Sequence, residues 1–81
     1  MPIAVDEHTD PATITGRTIR AEGVTGRAVL VQHLTVEVQT GKSRTGFAPG
    51  VVVELRVPGR HGDESRFLCL PYGATVDLLE S

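Results

Sequence analysis

The stretch VVVELRV, residues 51 to 57, alternates strictly: Val51, Val53, Leu55 and Val57 share one parity, and Val52, Glu54 and Arg56 share the other. Period two is the signature of a pleated strand with one covered face, and the Pro58-Gly59 that follows removes a ladder donor and permits a turn. A longer run, Arg27 to Thr40, places Ala28, Leu30, Leu34, Val36 and Val38 on its even face, with Gln32 interrupting them. Its odd face is apolar at Val29 and Val31 and turns polar at His33, Thr35, Glu37 and Gln39. A strand covered on both sides at one end only suits a strongly bent strand shared between the two halves of a small barrel. A helix over 27 to 34 is the competing reading, weakened by the β-branched Val29 and Val31 and by the lack of a capping box.

ATITGRTIRA, residues 12 to 21, carries Ile14 in one phase and Ile19 in the other, and a bulge at Gly16 would reconcile them. RFLCLPY, 66 to 72, is apolar on both parities, Phe67 and Cys69 against Leu68 and Leu70, and a turn at Tyr72-Gly73 leads to a last strand in ATVDLL, with a closing helical turn as the alternative. No segment is long enough for a parallel crossover, so the strands are expected to pair antiparallel. The pattern predicts an all-β fold, a small five-stranded antiparallel barrel or roll of the SH3-like or OB-like type. DEHTDP, residues 6 to 11, has no apolar partner for its charges and reads as a solvated linker. The expected organisation is therefore a partly flexible arm over 1–11 and one barrel domain over 12–81. Ahead of the linker, PIAV is apolar enough to dock as an edge strand, on this chain or on a neighbour.

Composition narrows the function classes. With 81 residues the chain is one domain at most, and such a domain buries only about 60 to 65 per cent of its unfolded surface. It has no Trp, one Tyr and two Phe, which disfavours a base-stacking platform, and a net charge of −2, which gives no general attraction for polyanions. Nucleic acid is accordingly not the expected partner. Lys42 is the sole lysine beside seven arginines, a bias in keeping with GC-rich bacterial coding. The single cysteine, Cys69, cannot form an internal disulfide, no apolar run approaches the ~20 residues that span a bilayer, and the first ten residues do not read as a secretory signal. The expectation is a cytoplasmic protein with no membrane partner.

TGKSRTG, 40 to 46, contains a Gly-Lys-Ser triplet of the kind that grips phosphate, but the first glycine of a phosphate loop would stand where the chain has Val36. The flanking segments also read as strands, so no nucleotide cofactor is expected. What is left is a connection over 40–50, TGKSRTGFAPG, with Lys42 and Arg44 near its tip and Phe47 as a possible apolar anchor for a partner. PGRHGDE gathers Arg60, His61, Asp63 and Glu64 in a second loop whose spacing matches no metal signature. No metal, cofactor or catalytic residue is expected, and Cys69 reads as a small hydrophobe in an apolar strand.

Three short likenesses touch this chain. MPIAV is similar to the opening of the small tautomerases, whose amino-terminal proline is a general base, although DEHTDPATITG begins no amphipathic helix to position Pro2. GFAPGVVVELRVPGRHGDE resembles the central hairpin of the SH3-like ferrous-iron-transport accessory proteins, and GRAVLVQHL is similar to a strand of the OB-like pentameric microcompartment vertex proteins. Two unrelated barrels matching two different strands imply general barrel patterning rather than one family. The function expected is a non-enzymatic interaction module or accessory subunit that binds itself or another protein. Its expected contact residues are Lys42, Arg44, Phe47, Arg60 and His61 in the loops, and Val29, Val31, Leu68 and Leu70 on second faces that a barrel cannot cover. The alternative is a small ligand or nucleic-acid binder using Lys42, Arg44, Arg56, Arg60 and Arg66.

Overall fold

The computed structural model describes residues 1–79. Its strands are β1 (Pro2–Ala4), β2 (Thr18–Ala21), β3 (Val24–Gly41), β4 (Arg44–Gly59), β5 (Gly62–Pro71) and β6 (Thr75–Leu78), with a 3₁₀ turn at Pro11–Thr13. They form one antiparallel sheet in the order β1-β6-β2-β3-β4-β5. The all-β class and antiparallel pairing are as the pattern implies, but the described residues form six strands rather than five, and their sheet is open rather than closed into a barrel. The additional strand is β1, the first three residues of PIAV. It docks on this chain, Ile3 opposite Val76, and makes β1 one edge of the sheet while β5 makes the other.

The core lies on one face, filled by Ile19, Ala21, Ala28, Val31, Val51, Val53, Leu55, Leu68, Leu70, Val76 and Leu78, with Val5 and Ile14 closing over it from outside the strands. The parity of β4 holds: Val51, Val53 and Leu55 are fully buried, while Val52 and Glu54 are half-buried and Arg56 is exposed on the opposite side. The even face assigned to β3 holds only in part: Ala28 and Val36 are buried, but Leu30 and Leu34 are exposed. A register shift between Ala28 and Leu30 inserts Val29 as an extra residue, so Ala28 and Val31 both turn inward and Leu30 and Leu34 turn out. The helix considered for 27–34 is this same strand. At Ile14 and Ile19 the phase changes through the 3₁₀ turn and the positive-φ Gly16 rather than through a bulge within one strand.

The connections are tight. Between β2 and β3 the residues Glu22 and Gly23 take φ of 51° and 76°, the all-positive pair that a two-residue hairpin with right-twisted strands requires. The long loop expected over 40–50 is a correction: β3 runs to Gly41, β4 starts at Arg44, and only Lys42 and Ser43 lie between. Likewise PGRHGDE is nearly all strand, with Arg60 and His61 turning between Gly59 and Gly62. DEHTDP is exposed except at the half-buried Thr9 and Pro11, and it is hydrogen-bonded: the Asp6 carboxylate accepts from His8 N at 2.8 Å, and the Asp10 carboxylate caps the 3₁₀ turn by accepting from Ala12 N at 3.0 Å.

Candidate functional site

The expected contact residues do not form one surface. Lys42 and Arg44 stand at the start of β4 and Arg60 and His61 just beyond its end, so a sixteen-residue strand separates the two hairpin tips. Phe47 is 77 % exposed on the Lys42 side, opposite Glu37. Val31, Leu68 and Leu70 belong to the core, whereas Val29 is partly exposed at its bulge. The burial of Leu68 and Leu70 follows from pairing: they face Val53 and Val51 of β4, and Phe67 and Cys69 are thereby turned to the other side.

What the fold brings together on that outer side is a different set. Across β3, β4 and β5 one row reads Leu30, Glu54, Phe67 and the next reads Gln32, Val52, Cys69. Leu30, Leu34 and Phe67 are 42 %, 50 % and 64 % exposed, and Cys69 is exposed beside them. This apolar patch runs to β5, where the sheet ends. The first six residues of β5, Gly62 to Phe67, are all exposed. Sequence pattern alone points to two apolar parities in RFLCLPY, and only the partner strand tells which one is the outer.

Arginines make a second cluster. Arg27 lies directly opposite Arg56, and Thr18 lies opposite Arg27 on its other side. Arg17 is tied next to them, its carbonyl accepting from Ala28 N at 2.9 Å. An open concavity of ≈ 820 Å³ is lined by Met1, Gly16, Arg17, Thr18, Arg27, Leu78 and Leu79. A second of ≈ 420 Å³ shares Thr18 and Arg27 and adds Arg56 and Asp63.

By contrast Arg20 is paired, its Nη2 3.0 Å from Asp77 Oδ2. The N-terminal ammonium sits 3.1 Å from Asp77 Oδ1. The hydrogen bond from the ammonium, the largest influence, combines with its charge and with Arg20 to hold the Asp77 carboxyl below its ordinary value of 3.8 against a smaller desolvation effect. Among the described residues no polar or charged side chain is buried, no three His, Cys, Asp or Glu side chains converge on a metal-sized site, and no helix is long and apolar enough to cross a membrane.

No family model, no curated protein and no solved structure matches this chain.

Proposed function

We propose that this chain is a small interaction module without chemistry of its own, and that it self-associates by pairing β5 with β5 of a second copy. The observation that carries the reading is the free β5 edge bordered by the exposed outer-face patch of Leu30, Leu34, Phe67 and Cys69. An edge strand offers a row of unused N–H and C=O groups, and natural sheets either blunt such edges or pair them. The charges on β5 favour a second copy as occupant. In an antiparallel two-fold centred on Ser65, each Glu64 faces the partner's Arg66, so like charges are avoided and opposite charges meet twice.

Sedimentation velocity over a wide concentration range tests this reading. The wild type is expected to shift from monomer to dimer, and Arg66→Glu, which sets acid against acid, to shift the transition to higher concentration. A wild type that stays monomeric throughout contradicts self-association.

A further inference from the structure

We propose that the concave outer surface at β2, β3 and β4 binds a phosphate-type oxyanion between Arg17, Arg27 and Arg56. Arg27 and Arg56 are directly cross-strand neighbours, and like charges so placed destabilise a sheet unless a counter-charge lies between them. The protein supplies little of that counter-charge. Glu54 Oε2 is 3.8 Å from Arg56 Nε and is also engaged by the Ser65 hydroxyl at 3.2 Å. Among the described residues no carboxylate pairs with Arg17 or Arg27, although the chain as a whole carries more acid than base. Arg20, one residue beyond Thr18 and Ile19, does have its acid, Asp77.

The two concavities share Thr18 and Arg27 in their linings, so Arg17 lines a hollow that adjoins the one lined by Arg27 and Arg56. A guanidinium presents its N–H groups in a planar fork that matches two oxygens of an oxyanion, and a doubly charged ligand suits several such forks better than a single carboxylate does. Thr18 and Thr25 line the hollow of Arg27 and Arg56 as well. Asp63 stands on its rim and sets the limit on affinity, because its charge repels the same ligand.

Titration with inorganic phosphate, followed by amide chemical shifts of the isotope-labelled protein at constant ionic strength in sodium chloride, tests the site. Saturable shifts are expected at Arg17, Thr18, Arg27 and Arg56. Arg27→Gln and Arg56→Gln should each weaken binding about tenfold or more, the scale of one charge-assisted pair of hydrogen bonds. Asp63→Asn should tighten it. Both glutamine variants relieve a like-charge contact, so they are expected to melt no lower than wild type without phosphate, and a lost response cannot be put down to unfolding. Adenosine monophosphate binding more tightly than phosphate would assign the hollow to a phosphorylated organic ligand, and equal binding to the free ion. Absent or non-saturating shifts, or equal affinity in wild type and both glutamine variants, overturn the proposal.

Discussion

The imidazole of His33 bridges two distant parts of the chain: its Nδ1 lies 2.7 Å from the Tyr72 hydroxyl, and its Nε2 lies 2.8 Å from the carbonyl oxygen of Thr9. A carbonyl only accepts, so Nε2 carries the proton, and in the neutral ring Nδ1 accepts from Tyr72. The rings also meet edge to face, 5.8 Å between centroids. His33 thus fastens the acidic segment and the β5–β6 turn to β3. Replacement by Ala removes two hydrogen bonds and is expected to cost about 1 to 2 kcal/mol in urea unfolding. Tyr72→Phe removes one and should cost about half as much. Amide exchange in residues 6 to 10 should rise in His33→Ala before the strands respond.

That clamp was not legible in the sequence, because it depends on which strands neighbour which. DEHTDP announces charge and solvent exposure by composition, and the side-chain hydrogen bonds that order it at Asp6 and Asp10 are local. Its tether at Thr9 is not. The alternation of VVVELRV survived intact because β4 lies between two neighbours and one of its faces is fully covered. The even face of β3 failed at Leu30 and Leu34, although Val36 further along is buried: the bulge at Val29 shifts the phase next to it, and no pattern rule marks it, since Val29, Leu30 and Val31 are all apolar. The contact set failed for a related reason. Apolar residues on both parities of β5 left inward and outward undecided, and pairing with Val51 and Val53 decides it. The Arg27–Arg56 neighbourhood likewise rests on long-range register through that bulge.

The parity of β5 gives a direct contrast. Leu68 is buried against Val53, and Leu68→Ala should destabilise by about 2 to 5 kcal/mol through the cavity it leaves. Phe67 is the larger side chain but is 64 % exposed, and Phe67→Ala should change monomer stability by no more than about 0.5 kcal/mol. Chemical denaturation at low protein concentration separates the two. A larger loss for Phe67 than for Leu68 would mean that the faces are reversed.

Gly50 sits where two strands come too close for a side chain. A Cβ there would run into the carbonyl oxygen of Leu70, and would meet Val36 Cγ2 at 2.8 Å and the Pro71 Cα at 2.9 Å. Two of those neighbours are backbone and cannot swing aside. Gly50→Ala is therefore expected to lose about 1 to 3 kcal/mol by overpacking, measured as a lower denaturant midpoint. Gly41→Ala, whose Cβ would find Arg44 Cβ at an ordinary 3.8 Å, should lose far less.

Acid should weaken the sheet through Asp77. Its carboxyl titrates below its ordinary value of 3.8 in the folded chain, so the ion pairs with the N-terminal ammonium and Arg20 contribute stability that is fully present above about pH 5. That contribution is lost as pH falls below the unfolded carboxylate's range and through the lower folded value. Melting temperatures measured from pH 6 to pH 2.5 should fall more steeply for wild type than for Asp77→Asn. Parallel curves for the two proteins would show that this carboxylate is not the coupled group.

The proposed self-pairing of β5 would fix one distance. With the two-fold at Ser65, Cys69 of each copy lies eight positions along the strand from Cys69 of the other, which at ~3.4 Å per residue places the two about 27 Å apart. Cys69 is the sole cysteine and is exposed on the outer face, so a nitroxide can be attached without any substitution. Pulsed dipolar spectroscopy on the labelled protein should give a distribution centred near 27 Å, allowing for the label arms, that disappears when labelled chain is diluted into excess unlabelled chain. Isolated spins at every concentration, or a centre below about 15 Å, as a two-fold nearer Leu68 would place it, would contradict the account.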